Sequence, residues 1–369
     1  MFRSHSQPYA RGISLIDLMV GLAIGLLATL VILNVSVLFE SRRKATVGAA
    51  DAQISANYAL ALLERDLRMA GGGLGPPDAF GCIIHRVVGS ATEKTLVLWP
   101  VTITHGANGA PDTLFVMSSA KSQLSTAARL IAPYAVGSNT LTLDSTLEIK
   151  AGDFLLLQET SHPDCLLLET TAIATGGYTV QHTPLPASVL SGQSFGAGSA
   201  VINLGGLHQQ RYSLDASQTL QNAYYDRISD AWLGSSLAAN VVNLQAQYGF
   251  DARPGIQTQP MVTFWSDEVI DADANGVAGN IADWRRLLAI RFAIVVQHAR
   301  RNDEGCNASQ PVWLAGNPST GVLESTNIVI DSLPDWSCYR YRVLQTVVPL
   351  RNMIWSDGCC IGAAWAEDS

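Results

Sequence analysis

The sequence predicts an α+β protein in which one long N-terminal helix, apolar in its first half, packs on a large antiparallel β-rich domain. Three observations lead there. Residues 13–39 form an apolar run with a single charge, Asp17. No proline interrupts residues 13–70, and Gly71-Gly72-Gly73 followed by Pro76-Pro77 then stops a helix firmly. From about residue 95 onward, short apolar runs alternate with Gly, Asn, Asp and Pro clusters, which is the spacing of strands and turns.

The apolar run is 27 residues long, and as a helix it would measure about 40 Å against a hydrocarbon core of ~30 Å. Residues 1–12 precede it, mostly polar, with Arg3 and Arg11 and no acid, so the N-terminus is expected on the cytoplasmic side. Gly12 is the one obvious processing point, and it lies ahead of the apolar run. Cleavage there would leave the run on the mature chain, unlike removal of an ordinary secretory signal. Asp17 is unfavourable at membrane depth by ~2.5 kcal/mol or more, so a partner is expected for it. Gly21 and Gly25 form a GxxxG, read either as a helix-packing notch or as membrane glycines that lipid tolerates.

Residues 40–70 continue the helix in amphipathic form. Val47, Ile54, Tyr58, Ala61, Leu62 and Met69 are expected on the buried face, with Arg43, Lys44, Asp51, Glu64 and Arg68 toward solvent. Residues 71–369 make the β-rich domain. Strands are expected at 95–99, 113–117, 140–143, 154–158, 165–170, 178–182 and 200–204. Residues 205–240 read as a polar loop region with a short helix near Leu220–Leu233. Further strands follow at 241–250, within Trp284–His298, and within Tyr339–Asn352, where Pro349 marks an end or an edge. In Trp284–His298, the alternation of Leu288, Ile290, Phe292, Ile294 and Val296 puts those side chains on one face.

A net charge of −8 argues against a general nucleic-acid surface. GxSxG, P-loop and HExxH motifs are absent, and the seven histidines show no ligand spacing, so an enzyme is not expected. The six cysteines, Cys82, Cys165, Cys306, Cys338, Cys359 and Cys360, all follow the apolar run and lack metal-ligand spacing. Disulfides in an oxidising compartment are the expectation, with Cys306–Cys338 the first pairing to look for, since both lie in a Gly/Pro/Ser-rich stretch between two apolar segments. Asp271, Asp273 and Asn275, ahead of Gly276, spell the first half of a calcium loop. The twelfth position is Ala282, so the bidentate Glu is missing, and Asp or Asn before Gly also suits an ordinary tight turn.

The basic leader, Gly12, an apolar residue and an acid at the fifth following position together resemble the signal of type IV prepilins and pseudopilins. The blocks ISLIDLMVGLAIG at 13–25, ALxLLxRDLRMAG at 59–71, Gly81-Cys82, QYGFD at 247–251 and VPLRN at 348–352 resemble the PilW family of minor pilins more narrowly. The superfamily usually carries Glu where this chain has Asp17. The resemblance implies a pilin-like fold, cleavage by prepilin peptidase between Gly12 and Ile13, and methylation of Ile13. It implies that Asp17 meets the N-terminal amine of a neighbouring subunit. The implied partners are other minor pilins, the major pilin, a PilY-type tip adhesin and the lipid of the inner membrane. The implied role is priming of assembly at or near the pilus tip, with the globular domain periplasmic before assembly. Two other readings compete: a minor pseudopilin of a type II secretion machine, and a membrane-tethered adhesive module that never enters a filament.

Overall fold

The computed structural model describes residues 15–354, apart from 76–78, 89–91, 122–126, 160–161, 175, 177, 187, 191, 227–228, 255–258, 299–304, 317–319 and 322. The chain divides into two units, Met1–Asp51 and Ala52–Ser369. One helix, Leu15–Met69, runs from the first into the second. Its end falls within a residue of the expected stop, because Gly71 and Gly73 take the positive φ angles that end a helix without a Cβ penalty.

In the first unit, Leu18–Val37 is long and apolar enough to cross a membrane, and every side chain in that span is exposed. Within it the hydroxyl of Thr29 is satisfied locally: its Oγ1 donates to the carbonyls of Gly25 (2.8 Å) and Leu26 (2.9 Å).

In the second unit, the end of the helix packs on the β-rich domain. The face it buries is not the expected one. Ala56, Ala59, Leu63 and Leu67 are wholly buried, together with Ala70 just beyond the helix. Ile54, Tyr58 and Met69 are 67%, 61% and 58% exposed, and Ala61 is exposed as well. The helix does carry two apolar stripes. The stripe with two alanines lets the backbone approach the sheets closely, and Leu63 and Leu67 contribute about 1.5–3 kcal/mol each by burial. The bulkier stripe is left outside.

Three larger sheets build the domain. In the first, the order is Thr92–Val97, Ile83–Val88, Asp164–Ile173, Phe154–Gln158, Ala200–Gly205 and Ala128–Arg129, with Thr179–His182 and Thr140–Thr142 attached beside Asp164–Ile173. Ile83–Val88 pairs with Asp164–Ile173 in parallel, with Ile84 in register with Cys165, while the other ladders of this sheet are antiparallel. The second sheet runs Ala231–Ala239, Thr219–Asp226, Leu207–Leu214, Thr113–Ser119 and Val101–Thr104. The third runs Phe264–Ser266, Val241–Phe250, Leu287–Gln297 and Tyr341–Pro349. A hairpin of Val312–Gly316 and Leu323–Asn327 stands beside the third sheet.

Most expected strands are present, those at 154–158 and 241–250 with their predicted bounds. The helix expected near Leu220–Leu233 is absent. Thr219–Asp226 and Ala231–Ala239 form an antiparallel pair there, turning at Asp230, which takes a left-handed conformation. Gln- and Ala-rich composition suggested a helix, but pairing with Leu207–Leu214 overrides that weak local preference.

In 284–298 the alternating residues share one face from Ile290 onward as expected, but the opposite face is buried as well. Ile290, Phe292, Ile294 and Val296 face the main core with Leu63 and Leu67, whereas Ala293 and Val295 on the opposite face join a second cluster with Val242, Trp313, Ile328 and Ile330. The strand is therefore buried on both sides. A third cluster, under the first sheet, gathers Leu155, Leu157, Leu166, Leu168 and Val180.

Candidate functional site

Gly12 and Ile13 lie outside the described residues. Asp17 lies in the helix, and its side chain is likewise outside what is described. A Cβ added at Gly21 or Gly25 would meet no atom within 4 Å, so the notch they form on the helix is open.

The junction between helix and domain is built from the sequence blocks singled out above. Asn352, the last residue of VPLRN, donates its Nδ2 to the carbonyls of Ala70 (3.0 Å) and Met69 (3.3 Å), which satisfies acceptors that a helix end leaves without partners. Gly72 must be small here, since an added Cβ would lie 3.1 Å from Asn352 Nδ2 and 2.9 Å from the Met69 carbonyl oxygen. The glycine turn is stitched to the second sheet by Gly71 N–H to Met117 O (2.9 Å) and Ser119 N–H to Gly72 O (2.8 Å). Asp66 accepts from the buried Tyr212 hydroxyl (2.6 Å) and from Arg65. Arg342 of the last strand donates to Gln53 of the helix (2.9 Å).

Two disulfides are formed, Cys306–Cys338 as expected and Cys82–Cys165, closing separations of 32 and 83 residues. Sequence reasoning left the second pair open, because only the parallel pairing of Ile83–Val88 with Asp164–Ile173 brings the two cysteines together. Cys359 and Cys360 lie outside the described residues.

The acidic loop gains a member that the motif lacked. Carboxylate oxygens of Asp271, Asp273 and Asp283 lie within 4.8 Å of one another. Asp271 accepts from the N–H groups of Asn275 (3.0 Å) and Gly276 (2.7 Å). Asp273 accepts from the Asn275 amide nitrogen (2.8 Å). Asp283 is fully buried and accepts from the N–H groups of Ala272, Asp273 and Asn280, closing a capping box with Asn280 on the short helix Ile281–Trp284. These bonds account for the turn by themselves. Asp283, one residue past the vacant twelfth position, is a structural cap.

QYGFD has a structural role that its letters did not announce. An added Cβ at Gly249 would lie 2.6 Å from the Trp265 ring, so glycine makes room for that indole. The buried Tyr248 hydroxyl accepts from Ile103 N–H (2.6 Å). Gln247 sits opposite Arg291 in the ladder, and its Oε1 accepts from Arg291 Nε (2.9 Å), from Arg291 Nη2 and from Gly316 N–H (2.9 Å). Its Nε2 donates to Asp267 (2.6 Å).

Arg291 is 3% exposed, and its guanidinium lies 4.6 Å from the Trp265 ring centroid and 5.4 Å from that of Trp313. Burial lowers its pKa to about 10, with Asp267 opposing from beyond contact distance, so it stays cationic at neutral pH. No carboxylate among the described residues forms an ion pair with it. Taking an ion out of water costs several kcal/mol, whereas each cation–π contact returns about 0.5–2 kcal/mol. The aromatic pair and one neutral amide leave this charge undercompensated.

Among the described residues, one apolar helix of membrane length continues into a large antiparallel β-rich domain that holds two disulfides, which makes the chain an α+β protein with an N-terminal apolar helix. Residues 209–352 match the family model of PilW, type IV pilus-assembly protein W. The match spans less than half of the chain, starting in the strand Leu207–Leu214 and ending on Asn352, the residue that caps the helix. It includes QYGFD and VPLRN, while the blocks at 13–25, 59–71 and 81–82 precede it. No curated protein and no solved structure matches the chain.

Proposed function

We propose that this chain is a minor pilin that primes assembly of a type IV pilus at or near its tip, and that it is not an enzyme. The observation that carries the reading is the exposed apolar surface of the helix: all of Leu18–Val37, then Ile54, Tyr58 and Met69. Lipid covers the first stretch while the protein waits in the inner membrane, with its β-rich domain periplasmic. Helices of neighbouring minor and major pilins cover it after assembly, and the open notch at Gly21 and Gly25 eases their approach. Prepilin peptidase cuts between Gly12 and Ile13, and Ile13 is methylated. Asp17 then meets the N-terminal amine of a neighbour, since opposite charges in an apolar surround attract strongly and an unpaired one is costly. A PilY-type adhesin is the partner at the tip.

Mass spectrometry of the native protein tests this first. The expected N-terminus is a methylated Ile13, and a chain retaining residues 1–12 would instead favour a tethered adhesive module. Asp17→Ala should be inserted and cleaved but depleted from sheared pili, and Asp17→Glu should assemble at least as well as Asp17. Equal amounts of Asp17→Ala and the unaltered protein in sheared pili would refute the charge pairing. Co-purification with secretion pseudopilins in place of pilins would move the chain to a type II secretion machine.

A further inference from the structure

Lys121, Asp153 and Asn203 meet where the first and second sheets adjoin. Lys121 follows the strand Thr113–Ser119, Asn203 lies in Ala200–Gly205, and Asp153 immediately precedes Phe154–Gln158. Local bonds bring Lys121 there: Ala120 N–H donates to Gly206 O (2.7 Å), Ser119 Oγ donates to Leu204 O (2.7 Å), and Lys121 N–H donates to Ser119 Oγ (3.0 Å). Its stem lies along Gly205, where an added Cβ would come within 3.1 Å of Lys121 Cγ and Cε. Lys121 Nζ donates to Asp153 Oδ2 (2.9 Å) and to the Glu148 carbonyl (2.9 Å). Asn203 Nδ2 donates to the same two oxygens, each at 3.0 Å. An amine and a carboxamide are thus held side by side on shared acceptors. Asn203 Oδ1 accepts from Gly205 N–H (2.9 Å), which fixes the oxygen end of the amide and draws electrons from its Cγ. Asn203 is 7% exposed, and the side chains of Lys121 and Asp153 are 19% and 15% exposed, so water has little access to the group.

We propose that Lys121 and Asn203 form an intramolecular isopeptide bond, with Asp153 carrying the protons. Fixing the two groups together replaces a chance encounter with a unimolecular step. Asp153 takes a proton from the Lys121 ammonium through their existing bond, and the neutral Nζ attacks Cγ of Asn203. Gly205 N–H bonds the oxygen on which negative charge builds. Asp153 then hands its proton to Nδ2, the Cγ–Nδ2 bond breaks as the carbonyl reforms, and ammonia leaves. The second Nζ proton passes through Asp153 to that ammonia. One Nζ–Cγ bond is made, one Cγ–Nδ2 bond is lost and an ammonium ion departs. Asp153 ends as the carboxylate it began as, and no oxidant or reductant is needed. The bond ties Thr113–Ser119 of the second sheet to Ala200–Gly205 of the first, and it closes the intervening chain into a loop that survives reduction of both disulfides.

The test is tryptic mapping of the full chain, extracted in detergent, reduced and read by tandem mass spectrometry. A branched product should join the Lys121 segment to the Asn203 segment, lighter by one ammonia than the two peptides together. Trypsin should not cut after Lys121, since an acylated lysine is no longer its substrate. Lys121→Arg keeps the ion pair with Asp153 but removes the amine. It should restore cutting at that position, and its reduced chain should migrate more slowly in a denaturing gel than the cross-linked one. Asp153→Asn removes the proton carrier and should abolish the branched product. The map of the unaltered protein decides the matter even if either variant fails to fold. A main product ending at Lys121 in the unaltered chain would overturn the proposal, as would recovery of residue 203 in a linear peptide, either as asparagine or deamidated to aspartate. A branched product that persists in Asp153→Asn would overturn the part assigned to Asp153.

Discussion

Two histidines tie stability to pH. His85 is bonded through Nδ1 to Glu93 (2.6 Å) and through Nε2 to Asp164 (3.0 Å), and His105 contacts Asp112 (3.1 Å) and the Asp267 carbonyl. In both, burial works against the cation, but the carboxylate partners outweigh it and raise the pKa above the usual 6.5. A raised histidine pKa gives stability that is complete below 6.5 and is lost as pH rises through the folded value. At the other end, Asp153 and Asp251 are depressed despite the opposing cost of burial: Lys121 and Asn203 hold Asp153, and Arg253 holds Asp251. Their contribution is present above the usual 3.8 and fades as pH falls through the lower folded values. The urea midpoint of the full chain in micelles should therefore decline from about pH 6 to pH 8 as well as in acid. His85→Gln should flatten the alkaline limb, and an unchanged limb would remove this histidine from the account.

At the scale of elements, the junction depends on a few polar contacts placed far apart in sequence. Asn352→Ala removes the donor that serves the last carbonyls of the helix and should cost about 1 kcal/mol in chemical denaturation. Arg351→Ala, at its exposed neighbour, should change the midpoint little. Equal effects would mean that the cap carries no energy of its own. The disulfides act on the same domain from outside this junction. Reduction should destabilise it by about 2–5 kcal/mol per bridge lost, and Cys82–Cys165 should matter somewhat more because it closes the longer loop. Paired serine substitutions, one bridge at a time, would measure the order.

For the whole molecule, the question is what covers the outer stripe of the helix. If neighbouring helices do, as the proposed role requires, then Ile54→Asp should leave insertion, processing and the domain's thermal midpoint near those of the unaltered protein, because Ile54 is exposed there. The same substitution should lower recovery in sheared pili severalfold relative to the membrane pool, since a carboxylate would then sit within a helix–helix contact. Unchanged recovery would place Ile54 on the free outer surface of the assembled filament.

Sequence by itself determined the helix and its stop, the apolar span and most strands, and it put Cys306–Cys338 first among the pairings to look for. Each of these is written in local signals: unbroken hydropathy, glycines that permit positive φ, alternation, and turn residues. It also determined the blocks at 247–251 and 348–352 that fall within the matched family stretch. Tertiary structure alone decided which of two apolar stripes on the helix goes inside, because that depends on how closely the sheets approach Ala56 and Ala59. It decided that residues 219–239 are a strand pair, since pairing with a neighbour outweighs a weak helical preference. It joined Cys82 to Cys165 and brought Asp283 to Asp271, because those neighbours depend on chain crossings that no local window records. It also left Arg291 buried between two indoles with no acid among the described residues bonded to it: in the sequence that residue is one more arginine in a strand, and its charge becomes unusual only once water has been excluded from around it.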